Sequence, residues 1–102
     1  MKVIKRDGRA VDYDRAKIQI AIEKANREVN QAGRASKEDI EGITEYIEEL
    51  NKKRILVEDI QDIIEEKLME IKKYELAKKY IVYRYTRALV RKQNTTDETI
   101  LG

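Results

Sequence analysis

The sequence predicts an α+β domain that is mostly helical, in which a short N-terminal β-hairpin lies against a bundle of four helices. The chain of 102 residues contains no Pro and four Gly, so few positions interrupt a helix. A hairpin signal occurs only near the N-terminus, whereas apolar residues recur at helical spacing through most of the remaining sequence. The length suits one domain with a single small core.

The hairpin is predicted from the sequence KVIKRDGRAVDY at residues 2–13. Asp7-Gly8 is a strong signal for a two-residue type I′ turn, which needs positive φ at both central positions. Val3, Val11 and Tyr13 fit short strands on either side of that turn. Because an isolated two-stranded hairpin is only marginally stable, we expect it to lie on the helices.

The first two helices are predicted from their N-caps and apolar faces. Asp14 is the N-cap of the first helix, which ends near residues 31–33, and Ser36 is the N-cap of the second, which ends near residues 51–53. Their apolar faces comprise Ile18, Ala21, Ile22, Ala25 and Val29 in the first helix and Ile40, Ile43, Ile47 and Leu50 in the second.

The third and fourth helices follow a short extended link at residues 54–57. The third helix begins at Glu58 or Asp59, with an acidic first turn that suits the helix dipole. Its apolar face comprises Ile60, Ile63, Ile64, Leu68 and Ile71. The fourth helix runs from near Tyr74 to about Arg91, and residues 94–102 show no periodicity. We therefore assign residues 1–93 to the domain and residues 94–102 to a linker.

The composition excludes several classes of site. Cys and His are absent, which removes Cys/His zinc sites, thiol nucleophiles and His-dependent triads. No phosphate-binding loop of the GxxxxGK[ST] or GxGxxG type is present. We expect no catalytic residue and no protein-bound metal, although a carboxylate site remains open. Without a membrane-length apolar run or a signal peptide, a cytoplasmic protein is predicted.

Basic and acidic residues are unevenly distributed along the chain. Residues 57–71 contain six acids and one base, whereas residues 72–93 contain eight bases and one acid and residues 1–9 contain four bases and one acid. Both basic segments must find space on one small domain. They therefore form a candidate anion-binding region.

The fourth helix contains the most informative pattern, because Tyr80, Tyr83, Arg84, Arg87 and Arg91 recur at helical spacing. Guanidinium groups suit phosphate oxygens and aromatic rings suit purines. The same pattern also occurs on solvated helix faces that make cation–π contacts, and the two interpretations stay open from the residues alone.

Three further cations are candidates for binding an anion. Lys5 and Arg6 stand at the hairpin tip, where strand alternation would point them to opposite faces unless the turn twists. Lys17 lies in the first turn of the first helix, where a phosphate would also meet free backbone N–H groups. Taken alone, each is more simply explained as an ordinary charged surface residue.

Together these segments resemble the ATP-cone domain. The family pattern begins V-x-K-R-D-G and continues with D-x-x-K-I, matched here by Val3, Lys5, Arg6, Asp7 and Gly8 and then by Asp14, Lys17 and Ile18. Later motifs, V-x-x-I-Q-D and A-x-x-Y-I-x-Y-R-x-x-R, are matched by Val57, Ile60, Gln61 and Asp62 and by Ala77, Tyr80, Ile81, Tyr83, Arg84 and Arg87. The resemblance covers about residues 2–92.

The resemblance implies a pocket for ATP or dATP with Mg²⁺, closed by the hairpin as a lid over the helices. Lys5 and Arg6 would belong to the lid, with Gly8 in its turn. Lys17 and Arg87 match positions that hold phosphates, and Arg84 is a further candidate. The residues expected to border the base and sugar are Val3, Ile18, Ala21 and Val57, with Tyr83 nearby. Some family members carry an acid where Val11 stands, and Asp14 is a candidate substitute.

The resemblance further implies a regulatory domain without catalytic activity of its own. It is similar to the cone that controls overall activity in anaerobic, glycyl-radical ribonucleoside-triphosphate reductases, because residues 94–100 resemble the linker that follows that cone. The partners would then be a nucleoside triphosphate and the catalytic domain of the parent reductase. The protein could also form a homo-oligomer, and no contact with a membrane is expected. The alternatives are the cone of a reductase-gene repressor, a helical nucleic-acid-binding module and a protein-interaction domain. The repressor is disfavoured because it places a cysteine-containing zinc ribbon before its cone.

Overall fold

The computed structural model describes the backbone of residues 1–101 and the side chains of residues 1–87 and 89. The elements in chain order are β1 (Lys2–Ile4), β2 (Ala10–Asp12), α1 (Arg15–Asn26), a short 3₁₀ helix (Gln31–Gly33), α2 (Lys37–Glu49), β3 (Arg54–Leu56), α3 (Val57–Glu70) and α4 (Tyr74–Leu101). The predicted α+β class with four long helices is confirmed.

The predicted hairpin is present as the antiparallel pair of β1 and β2, and an unpredicted third strand extends it to a sheet of order β2-β1-β3. Val3 lies opposite Val11 in the antiparallel pair and opposite Ile55 in the parallel pair. The link at residues 54–57 therefore continues the sheet before α3 begins at Val57, one residue earlier than predicted. A third strand stabilises the hairpin, because β1 then pairs along both edges.

The turn between β1 and β2 has three residues, Arg6, Asp7 and Gly8, and is not the two-residue type I′ turn that was predicted. The N–H of Lys5 donates to the carbonyl of Arg9, and the N–H of Gly8 donates to the carbonyl of Lys5. Within the described chain only Gly8 of these residues has positive φ, at 89°, whereas type I′ requires two such residues. The Asp7 carboxylate accepts from the Arg9 N–H at 3.1 Å, which closes the loop.

The predicted N-caps of α1 and α2 are confirmed. The Asp14 carboxylate accepts from the Ala16 N–H at 3.0 Å, and Ser36 forms a reciprocal capping box with Asp39. Helix α1 ends at Asn26, earlier than predicted, because the Asn26 amide bonds both backbone groups of Ala35. The freed Asn26 carbonyl accepts from Arg34 Nε at 2.9 Å.

The core lies between the sheet and the four helices. Helix α1 packs against α2 and α4, and α3 packs against α2 and α4. The largest fully buried side chains are Ile22, Thr44, Ile47, Ile64, Leu68 and Leu76. These residues come from all four helices, so the predicted apolar faces meet in one core.

Helix α4 continues to Leu101, well past the end predicted near Arg91. No Pro or Gly occurs between Tyr74 and Leu101, so nothing in the sequence interrupts the helix. The predicted contacts of Ala88 and Arg91 lie outside the described side chains, and the linker assignment of residues 94–102 stays a prediction. No helix in the described part of the chain is long and apolar enough to cross a membrane.

Replacing Ile47 by Ala is expected to destabilise the domain by about 2–5 kcal/mol, because the substitution leaves a cavity at a fully buried site of α2. The matched control is Ile71→Ala, since Ile71 is 37% exposed and should lose much less. Urea unfolding followed by circular dichroism measures both. Equal losses for the two variants would contradict the packing described here.

Candidate functional site

A cavity of about 420 Å³ lies between the hairpin, α1, α3 and α4. Its lining includes eleven of the twelve predicted site residues: Val3, Lys5, Arg6, Asp14, Lys17, Ile18, Ala21, Val57, Tyr83, Arg84 and Arg87. These residues are dispersed along the sequence but converge because β1, α1, α3 and α4 all contribute one face to the same space. Gly8 is the exception, and its place is in the turn, where it supplies the positive φ.

One wall of the cavity is apolar. Val3, Ile18 and Ile60 are buried, and Val57 and Ala21 are half-buried beside them. This wall follows from the strand and helix periods, which place the cavity-facing side chains next to core residues. A flat apolar group, such as a heterocyclic base, can pack there.

The cavity lining also contains several cations. Lys5 and Arg6 both line the cavity. Strand alternation predicted that they point to opposite faces, but both residues follow the end of β1, so that alternation does not apply to them. Lys17 and Arg87 are exposed at the cavity. Among the side chains that the structure describes, neither of these two has an ion-pair partner, so both are available to an anion.

The backbone at the start of α1 is less available than predicted. The Ala16 N–H donates to the Asp14 carboxylate, and the Lys17 N–H donates to the Asp14 carbonyl at 3.2 Å. The expectation that a phosphate would share these N–H groups with Lys17 is therefore wrong. Asp14 acts as a helix cap, so an anion could accept from the Ala16 and Lys17 N–H groups only by breaking this cap.

Arg84 is engaged with carboxylates of α3 and is thus a poor candidate for binding phosphate. Its guanidinium group lies 2.8 Å from Glu65, 3.2 Å from Asp62 and 3.3 Å from Glu58, and its side chain is 13% exposed. Burial opposes the charged form, but the hydrogen bonds that Arg84 donates to Glu65 and Asp62 outweigh this effect and raise the pKa of Arg84. The sequence-based hypothesis that Arg84 binds phosphate is disfavoured, and the residue instead joins α3 to α4.

Glu58 links this cluster to the hairpin. Its Oε1 atom lies 2.6 Å from Arg6 Nε, while Oε2 lies 3.3 Å from Arg84. Three acids of α3, namely Glu58, Asp62 and Glu65, therefore pair with basic residues of other elements.

Two acids lie near the strand position where the family pattern sometimes carries one. Val11 lines the cavity with an apolar side chain, and Asp14 is occupied as the cap. The sequence analysis overlooked Asp12, which also lines the cavity and pairs with Lys2. The hydrogen bond from Lys2 lowers the pKa of Asp12, so this carboxylate is charged at neutral pH.

Other lining residues were missing from the predicted site: Tyr13, Ile20, Lys24, Ile60, Gln61, Ile64 and Tyr80. Ile60, Gln61 and Tyr80 stood in the quoted motifs, and Tyr80 also in the Tyr/Arg pattern of the fourth helix, so a signal was present although none of the three was named as a site residue. Burial raises the pKa of Tyr80 above its ordinary value, which keeps this phenol neutral. Gln61 Oε1 is buried without a hydrogen-bond partner. Lys24 Nζ lies 5.9 Å from the centre of the Tyr83 ring.

No cluster of three His, Cys, Asp or Glu side chains within the described residues is arranged to hold a metal ion. The cavity combines an apolar wall with cationic side chains, and its acids are paired or used as caps. Such a site suits a ligand with a flat apolar part and several negative charges.

Comparison with known proteins gives the same outline. A family model described as "ATP cone domain" matches residues 1–89. The chain is 36% identical to a ribonucleoside-diphosphate reductase subunit alpha of Chlamydia trachomatis, with 98% of this chain and 11% of the relative aligned. It is 36% identical to a vitamin B12-dependent ribonucleoside-diphosphate reductase of Mycobacterium tuberculosis, over 99% of this chain and 14% of the relative. A vitamin B12-dependent reductase of Thermoplasma acidophilum is 34% identical over 90% of this chain and 12% of that protein. The chain thus spans only a small part of these relatives.

Arg84→Ala is expected to destabilise the domain by roughly 1–3 kcal/mol, because it leaves three carboxylates of α3 without their shared cation. Arg87→Ala is the matched control on the same helix and should change stability by less than about 0.5 kcal/mol. Thermal and urea unfolding measure both variants. A variant lacking Arg84 that unfolds like the parent would show that the cluster contributes nothing to stability.

Proposed function

The chain belongs to the ATP-cone family, and we propose that its cavity binds ATP or dATP, each with Mg²⁺. The observation that carries this proposal is the convergence of Lys17, Arg87 and the hairpin cations on a cavity that is also lined by apolar side chains. A nucleoside triphosphate has the matching division between a flat heterocycle and a polyanion.

The orientation follows from the two sides of the cavity. The base and sugar would lie against Val3, Ile18, Ala21 and Val57, with Tyr83 packing at their edge. The phosphates would then meet Lys17 and Arg87, and Lys5 or Arg6 would cover them from the turn. Because the acids of the cavity are already paired or capped, Mg²⁺ would be held chiefly by the phosphates and water.

The regulatory role proposed for this domain concerns a larger ribonucleotide reductase chain. ATP would favour the active state of that enzyme and dATP the inactive state. The two ligands differ by one ribose hydroxyl, so control requires that this group change the free energy difference between two states of the whole protein. The domain itself offers no thiol for radical chemistry, since it contains no Cys.

The type of parent reductase is a finer proposal. The segment at residues 94–100 and the Tyr80–Arg87 motif favour an anaerobic ribonucleoside-triphosphate reductase. The relatives named above are diphosphate reductases, two of them dependent on vitamin B12, and the relatives from Chlamydia trachomatis and Mycobacterium tuberculosis align over 98% and 99% of this chain. We retain the anaerobic type as the proposal that the sequence motifs support.

Lys17→Ala and Arg87→Ala are each expected to weaken ATP binding by about tenfold to a hundredfold, because a charged hydrogen bond to phosphate contributes roughly 1.5–3 kcal/mol. Calorimetry with Mg²⁺ measures the affinity, and circular dichroism checks that each variant is folded. Lys52→Ala and Lys78→Ala are matched controls, since both lysines are exposed and outside the cavity.

Two results would contradict this proposal. If millimolar ATP and dATP give neither heat nor a melting shift with the parent domain, the cavity is not a nucleotide site. If the parent binds but both folded variants bind equally well, the phosphates lie elsewhere. A melting shift with a duplex oligonucleotide, and none with ATP, would instead favour the nucleic-acid-binding alternative.

A further inference from the structure

Glu58 lies between two arginines that belong to different parts of the fold. It lies in the first turn of α3, where its Oε1 atom pairs with Arg6 of the hairpin turn at 2.6 Å. Its Oε2 atom pairs with Arg84 of α4 at 3.3 Å. The carboxylate therefore joins the tip of the hairpin to the α3–α4 cluster across one edge of the cavity.

The pair with Arg6 is exposed, whereas the pairs of Arg84 are more protected. The side chains of Arg6 and Glu58 are 46% and 48% exposed, but that of Arg84 is 13% exposed. An exposed ion pair contributes little free energy because water and salt screen it. A polyanion entering the cavity can therefore exchange with Glu58 for Arg6 at low cost.

We propose that Glu58 is a positioning residue that holds Arg6 against α3 in the empty cavity and competes with ligand phosphates for this guanidinium group. The inference rests on the proposed function, since it concerns the same cavity and a ligand with phosphate groups. Binding would replace one carboxylate–guanidinium pair by a phosphate–guanidinium pair, and would leave the Glu58 charge facing the polyanion.

The local geometry separates this effect from a general loss of structure. Without the Glu58 charge, Arg84 still pairs with Glu65 at 2.8 Å and with Asp62 at 3.2 Å. Two ion pairs therefore continue to join α3 to α4. Arg6 has no second ion-pair partner among the described side chains. Neutralising Glu58 should therefore release Arg6 for the ligand while the helices stay joined.

The test is the variant Glu58→Gln, which keeps the size of the side chain and removes its charge. We expect it to bind ATP about two- to fivefold more tightly than the parent, as measured by calorimetry with Mg²⁺ at low salt. Asp59→Asn is the matched control, because it changes the net charge equally at the neighbouring exposed position and is outside the cavity. It should bind ATP like the parent.

A double-mutant cycle assigns the effect to Arg6. In an Arg6→Ala background, Glu58→Gln should no longer tighten ATP binding through release of the guanidinium group, so the gain should be markedly smaller. Adenosine, which has no phosphate, should bind the parent and Glu58→Gln alike. Circular dichroism and urea unfolding establish that all variants are folded.

The possible failures are distinguishable. If the parent binds no ATP, the proposed function fails and this inference fails with it. If the parent binds ATP but folded Glu58→Gln binds equally or more weakly, Glu58 does not compete and only this inference is overturned. A gain of the same size in the Arg6→Ala background, or with Asp59→Asn, would assign the effect to general electrostatics and would also overturn it.

Discussion

The pairing of β1 along both of its edges is the constraint from which the site follows. Val3 lies opposite both Val11 and Ile55, so a strand of three residues ties the hairpin to the chain that enters α3. Val3 and Ile55 are 8% and 3% exposed, so this pairing is also anchored in the core. The three-residue turn is thereby held at the edge of the cavity, and the first turn of α3 is placed beside it.

Acidic and basic residues that are far apart in the sequence are partly brought together as ion pairs between elements. Acids of α3 pair with Arg84 of α4 and Arg6 of the turn, and Glu48 of α2 accepts from both Tyr13 and Arg15. The hydrogen bond from Arg15 lowers the pKa of Glu48, so this link between α2 and the start of α1 is charged at neutral pH. The three pairs of Arg84 disfavour this residue as a ligand group, whereas Lys17 and Arg87 line the cavity without an ion-pair partner among the described side chains.

The cavity is assembled from elements that are joined by different kinds of contact. The apolar wall belongs to the core and should move little, whereas the cationic edge depends on an exposed turn and on long side chains. In the proposed complex the base would meet a fixed surface and the phosphates an adaptable one. Ligands with the same phosphates would then differ in their effect only through the contacts that their sugars make with the apolar wall.

The sequence by itself determined the presence of the four helices, the N-caps of α1 and α2, and many of the residues that line the cavity. Asp14 and Ser36 act locally, and the apolar spacing of Ile18, Ile22, Ile60 and Ile64 fixes which helix faces are buried, so these features need only neighbouring residues to be predicted. The ordered motifs additionally identified eleven residues that line the cavity. The three-residue turn was missed because Asp7-Gly8 fits more than one hairpin geometry, and its register depends on the strands.

Only the tertiary structure decided the third strand and the partners of the charged residues. The parallel pairing of β3 with β1 joins residues about fifty positions apart, and an isolated segment of three residues carries no signal for such a partner. Arg84 and Arg87 are likewise equivalent in the helical pattern of α4. They differ because Arg84 lies over the acids of α3 whereas Arg87 lies at the exposed edge of the cavity, and this difference arises from the packing of one helix on another.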